Sequence, residues 1–239
     1  MTLRRIGILG GMGPEATVLL MQKVIAAVPA RDDGDHVPLI VDQNPQVPSR
    51  IRHLIERTGE DPGPTLAAMA RRLQAAGAEA LAMPCNTAHH YAPAIRSAVT
   101  IPFIDMVALS AERAQRLAAE TGGQVGILAS PAVRMTGLFD TALNQFGLTA
   151  VFPENDAVML GLIRQIKAEG VSPAARATLL EASSALLAQG ASVQMIACTE
   201  FSLIAEAAAP ESRAFDTLDC LVDAIVTFAC AGMPPTRAG

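Results

Sequence analysis

Lysine is almost missing from this chain: Lys23 and Lys167 are the only two among 239 residues, and arginine supplies nearly every other cation. That scarcity bears on cofactor chemistry, because a pyridoxal enzyme needs a lysine for its Schiff base. Lys23 lies in an early helix rather than at a strand end, so no cofactor is expected. Lys167 sits beside an apolar stripe of Ile163 and Ile166, where a solvent-edge lysine with a buried stem is the simplest role. Charge is scarce too, at 17% of residues with a net of −5, which leaves no basic stripe for nucleic acid. No apolar run approaches a membrane span, and the apolar part of MTLRRIGILGG is too short for a signal peptide. The four cysteines stand at scattered spacings and read as free thiols of a reducing compartment, not as a disulfide frame. The expectation is a cytoplasmic protein.

What is abundant is apolar surface. Hydrophobic residues make up 51% of the chain and the mean hydropathy is +0.33, enough for an ample core and some surface buried in a partner. The first strand, Arg4 to Gly11, runs into GGMGPEAT, with Pro14 placed to start a helix that continues through Leu20 and Val24. Gly11, Gly13 and Ala16 match a dinucleotide fingerprint, with Asp32 and Asp33 downstream. Those aspartates precede the second strand (Val37 to Asp42), whereas a ribose-binding acid should close it, so the nucleotide reading is the minor one. A loop QNPQVPSR ends at Arg50, a helix spans Thr65 to Ala76, a strand spans Ala78 to Met83, and IPFID (Ile101 to Asp105) reads as a linker strand before a helix from Val107 to Ala119.

The second half restates the first. QVGILAS (Gln124 to Ser130) echoes RRIGILGG, the strand LTAVF follows, then a helix around Leu160 to Lys167 and a helix capped by Ser172-Pro173. RAFDTLDCLVDAIVTFA, Arg213 to Ala229, echoes IPFIDMVALSAERA. A repeat this long reads as a duplicated α/β unit. The expected division is residues 1–100 with 208–239, the last helix packing back, and 101–207.

The stretch around which this repeat is organised is GAEALAMPCNTAHH, Gly77 to His90. A buried strand breaks at Pro84 and presents Cys85, followed by small polar residues opening a helix. GASVQMIACTEFSL repeats it, with Cys198 at the same offset from Gly190 as Cys85 from Gly77. Ligands bind at the carboxyl ends of parallel strands, and a helix N-terminus lowers a thiol pKa from about 8.5 toward neutrality. Cys85 with His89 has metal-like spacing, but no further ligand converges, so no metal is expected. Cys220 and Cys230, among Leu221, Ile225 and Phe228, read as small core residues.

Two thiols flanking one carbon suit proton removal on one face and proton delivery on the other, with inversion at that carbon. The enediolate formed between needs preorganised donors. Asn86, Thr87, Thr199, Arg50 and Lys167 are candidates.

GGMGPEAT, the N-P-x-x-P-x-R loop (Asn44 to Arg50), PCNTAHH, Lys167 and ACTEFSL together resemble the aspartate/glutamate racemase superfamily, and within it the aspartate racemase-like group. The resemblance runs from Arg4 to about Ala229. It implies two pseudo-symmetric three-layer α/β/α domains with parallel sheets, the site in the cleft between them, and a homodimer. It further implies a cofactor-independent amino-acid racemase, acting first on aspartate and then on glutamate or a broader set. Cys85 and Cys198 would be its bases and Arg50 and Lys167 partners of the substrate carboxylates, with Met12, Asn86, Thr87, Ser130, Thr199 and Glu200 around the substrate. Glutamate racemases usually carry Asp-Ser after the first strand and His after the second cysteine; Gly10-Gly11 and Glu200 stand here.

Rival readings differ in class. A maleate-isomerase-like enzyme on a small dicarboxylic acid would share the fold and the cysteines. A decarboxylase of this type uses one cysteine, and a small-acid binding protein would need none.

Overall fold

The computed structural model describes residues 3–119 and 121–231. Its first half holds β1 (Ile6–Gly10), α1 (Pro14–Ala26), β2 (Leu39–Gln43), α2 (Gly63–Ala75), β3 (Ala80–Ala82), α3 (Ala92–Ala98) and α4 (Met106–Ala118). The second half follows with β4 (Gln124–Ala129), α5 (Pro131–Thr136), α6 (Leu138–Asn144), β5 (Thr149–Val151), α7 (Asp156–Glu169) and α8 (Pro173–Ala188). It closes with β6 (Val193–Ala197), β7 (Arg213–Asp216) and α9 (Thr217–Cys230). Both sheets are parallel, ordered β2-β1-β3 and β5-β4-β6-β7, so the second repeats the first and adds a strand.

Side chains alternate across a strand, and β1 uses both faces. Ile6 and Ile8 pack with Leu20 and Val24 of α1 and with Leu218, Leu221 and Ile225 of α9. Leu9 turns the other way, onto Leu66, Met69 and Leu73 of α2. Fully burying each such side chain contributes about 1.5–3 kcal/mol. The second sheet is sandwiched likewise: Val125 and Ile127 face α4 and α6, while Leu128 and Ile196 face α7 and α8. Helix α4 serves both halves, with Met106 in the first cluster and Ala111 and Ala114 in the second.

Local signals account for most boundaries. Pro14 and Pro173 occupy the first turns of α1 and α8, and the Ser172 side chain accepts from the Ala175 N–H. Asn155 caps α7, which therefore starts well before the expected Leu160. Asp105 and Asp216 cap α4 and α9 at matching points of the repeat.

Three expectations change. The linker strand from Ile101 to Asp105 shrinks to two bonds on Leu81: its N–H reaches Pro102 O at 2.8 Å and its carbonyl takes the Ile104 N–H at 2.8 Å. Pro102 has no N–H to extend the ladder, and β3 is only three residues long. Asp32 caps a 3₁₀ turn at Asp33–Asp35 in a reciprocal box with Asp35, ahead of β2 and not at its carboxyl end, which removes the ribose-binding reading. Cys220 is buried as expected, while Cys230 is only partly so.

Residues 1–2 and 232–239 of the expected first unit, and residue 120 of the second, lie outside the described residues. Among the described residues, no helix is long and apolar enough to cross a membrane.

Candidate active site

The carboxyl ends of β3 and β6 deliver Cys85 and Cys198, both buried, at 6% and 7% exposure. Neither opens an α-helix. Pro84 tightens the first turn, with Cys85 N–H on Met83 O at 2.9 Å, and a 3₁₀ segment Thr87–Tyr91 precedes α3. Pro93 cannot donate an N–H back to His89, which favours the tighter winding there. Cys198 is likewise followed by a 3₁₀ segment, Phe201–Ala207, whose first turns bond back to the Cys198 carbonyl.

The helix-lowered thiol expected from sequence is therefore reversed at Cys198. Burial pushes its pKa well up, and the Glu200 carboxylate beside it adds to the shift. The thiol donates to Glu200 Oε2 at 3.0 Å, while Glu200 Oε1 holds Lys167 Nζ at 3.0 Å. Burial works against the Lys167 ammonium, yet Glu200 and the two thiol groups, Cys198 and Cys85, lift its pKa above the ordinary value. Lys167, Glu200 and both cysteines thus form one electrostatic neighbourhood.

His89 fixes the Cys85 loop. Its Nε2 accepts the Met106 N–H at 3.2 Å, so the proton resides on Nδ1 and is donated to the Cys85 carbonyl at 2.8 Å. Burial holds this imidazole below the usual histidine range, neutral. With both ring nitrogens committed, His89 offers no lone pair to a metal. Among the described residues, no three His, Cys, Asp or Glu side chains cluster to hold one.

The remaining candidates fall around these two loops. Arg50 is half-buried, donates to Pro48 O at 3.2 Å and forms no ion pair among the described residues. Burial, with Asp61 adding to it, pushes the Tyr91 phenol up to about 12 while the Arg50 guanidinium opposes the shift, and the phenol oxygen lies 2.6 Å from His53 Nδ1. Asn86 Nδ2 donates to Thr217 Oγ1 at 3.0 Å, while the buried Asn86 Oδ1 has no hydrogen-bond partner among the described residues. Thr87 Oγ1 and Ser130 Oγ meet at 3.0 Å, joining the first cysteine loop to the end of β4. Thr199 is buried beside Cys198. Met12 packs in the apolar cluster that contains Cys85 and Val47. The loop after β1 also faces Glu200, since a Cβ on Gly13 would stand 3.6 Å from Glu200 Oε1.

Sequence reasoning missed His53, Tyr91 and Thr217, and it gave His89 no partner. A signal for Thr217 exists: in the repeat it stands where Met106 does, a polar residue in an apolar place. A cavity of about 360 Å³ lies between α3, α4 and α6, with His89 in its lining and neither Cys85 nor Cys198.

Residues 9–225 match the family model described as Asp/Glu/Hydantoin racemase. The chain is similar to the broad specificity amino-acid racemase RacX of Bacillus subtilis (strain 168), with 24% identity covering 93% of this chain and 96% of that one. Its structure resembles the aspartate racemase of Picrophilus torridus, with a TM-score of 0.83, 26% identity, and 95% and 94% of the two chains covered. It shares a fold with an aspartate racemase homologue from Pyrococcus horikoshii OT3, with a TM-score of 0.71, 21% identity, and 95% and 99% covered.

Proposed function

Because the chain belongs to the Asp/Glu/hydantoin racemase family, we propose that it is a cofactor-independent amino-acid racemase whose two bases are Cys85 and Cys198. Aspartate is the first substrate to test, with glutamate and a broader set behind it. The observation that carries this reading is the pair of buried thiols at matching strand ends, one of them already hydrogen-bonded through its proton.

In this reading the Cys85 thiolate takes the Cα proton from one face, leaving an enediolate. The Cys198 S–H delivers its proton to the opposite face, so the charge ends on Cys198 and the carbon is inverted. The opposite enantiomer runs the steps in reverse. Arg50 and Lys167 hold the carboxylates, and Asn86 Oδ1 accepts from the α-ammonium. Each sulfur must approach Cα at about 3–3.5 Å, which sets the pair roughly 7 Å apart around a substrate.

We also propose the division into residues 1–100 with 208–239 and 101–207, the substrate lying between them. A homodimer is supported by apolar side chains such as Val18 and Ile25, about half exposed on α1 at 50% and 53%. A cytoplasmic setting is supported by the free thiols.

The test uses Cys85→Ser and Cys198→Ser. Each should lose racemisation, because a hydroxyl is too weak an acid to replace the thiol. Each keeps one competent base, however. On a β-chloro amino acid, proton loss expels chloride without reprotonation, so the two variants should release chloride from opposite enantiomers. The same preference in both, or full racemisation by either, overturns the two-base mechanism.

A further inference from the structure

Thr217, the first residue of α9, is fully buried and touches both cysteine-bearing segments. Its hydroxyl lies 3.0 Å from the carbonyl of Ile196, on the strand leading into Cys198, and 3.0 Å from the side-chain nitrogen of Asn86, next to Cys85. A hydroxyl has one proton to give, and a backbone carbonyl can only accept. The proton is therefore committed to Ile196, and the hydroxyl oxygen must act as acceptor toward Asn86. Asn86 can satisfy it only with its NH₂. That choice turns Oδ1 away as an acceptor, and in this buried position it meets no donor among the described residues. An unmet buried acceptor is costly and is satisfied best by a charged donor.

We infer that Thr217 is a positioning residue that sets the polarity of the substrate site: by claiming the Asn86 NH₂ it leaves Oδ1 for the substrate's α-ammonium, and so selects amino acids over the matching 2-hydroxy acids. This rests on the racemase reading, and it adds to it the basis on which a dicarboxylate without an amino group is refused. Without the Thr217 hydroxyl, the Asn86 amide is free to rotate and present its NH₂ to a ligand oxygen. The discrimination then lapses even where the fold is kept.

The experiment compares turnover of aspartate with inhibition by L-malate. In the wild type, the malate inhibition constant should exceed the aspartate KM by at least about tenfold, the margin of a charge-assisted over a neutral hydrogen bond. Thr217→Val removes the hydroxyl at nearly constant volume and should cut that ratio about tenfold, and Thr217→Ser should restore it. Lower activity with an unchanged ratio in Thr217→Val marks a purely structural role and overturns the inference. Should the valine variant lose cooperative melting, Thr217→Ala set against Thr217→Ser gives the same comparison. The wild type supplies an independent readout: the Asn86 side-chain NH₂ protons should be protected from solvent exchange in ¹⁵N NMR. Rapid exchange there overturns the assignment by itself. A wild type that exchanges no Cα–H of aspartate in D₂O counts against the aspartate reading instead; another amino acid that does exchange is then set against its own 2-hydroxy acid.

Discussion

One carboxylate joins Cys198 to Lys167. Glu200 takes the thiol proton on Oε2 and the ammonium on Oε1, each at 3.0 Å. The second cysteine is thereby held as a proton donor, the opposite of the polarisation that a helix N-terminus would give. Glu200→Gln keeps the shape and deletes the anion. Cys198 should then be alkylated by iodoacetamide at a lower pH than in the wild type, as followed by peptide mass spectrometry across a pH series. An unchanged alkylation profile would mean that burial alone holds the proton.

Lys167→Met should act in two separable ways. It removes the cation that opposes the upward shift of Cys198, so alkylation of that thiol should move to higher pH. It also removes the proposed partner of a substrate carboxylate, so turnover of aspartate should fall by roughly 10- to 150-fold, the equivalent of a hydrogen bond to a charged group worth about 1.5–3 kcal/mol. Alanine, with no side-chain carboxylate, should lose much less. Equal losses on both substrates would put Lys167 at the α-carboxylate or outside the site.

Asp216 caps α9 and accepts from Ser202 at 2.8 Å, yet its second oxygen has no hydrogen-bond partner among the described residues. Burial raises its pKa from 3.8 to about 6. The folded state therefore keeps a proton that the unfolded chain releases, so this group's contribution is full below pH 4 and is lost as pH rises through 6. The loss amounts to about 3 kcal/mol. Asp216→Asn keeps the cap and the Ser202 bond without the charge. It should be more stable than the wild type at pH 8, and the difference should shrink toward pH 4, as read from urea midpoints. A variant less stable than the wild type at pH 8 would show that the Lys23 contact at 3.7 Å outweighs desolvation.

His89 has the opposite sign. Its folded pKa lies below 6.5 because the neutral ring is buried, so its stabilisation is present above pH 6.5 and is lost as pH falls through the folded value. At pH 6 the ¹⁵N spectrum of His89 should still show one protonated ring nitrogen, Nδ1. A ring protonated at both nitrogens at that pH would break the assigned lock on Cys85.

The duplicated architecture was legible because each copy writes out a strand, a glycine and a capped helix in the same order. Ser172 and Pro14 marked their helix starts in the residues themselves. The two cysteines were legible for the same reason, as matching endings of matching strands. The electrostatics of Cys198 were not: burial raises its pKa, Glu200 two residues away adds to the shift, and a 3₁₀ segment follows where an α-helix end was expected. The Cys85–His89 spacing gave no metal site in sequence and did not reveal the ring's partners, a carbonyl on one side and Met106 on the other. Thr217 stood out only as a polar residue at the place of Met106 in the repeat; its bond to Asn86 spans 131 positions and no local pattern announces it.

The loop after β1 bears on how this protein could be retrained for another substrate. At Gly11, φ is +93° and a Cβ would stand 2.3 Å from the Asn44 backbone, so no side chain is admissible. At Gly13 the nearest atom to a new Cβ is Glu200 Oε1 at an ordinary 3.6 Å. A mutational library over this loop should lose every variant at the first glycine and keep many at the second. Changes in substrate range are then reached through position 13, where a longer side chain comes up against the carboxylate that accepts the Cys198 hydrogen bond.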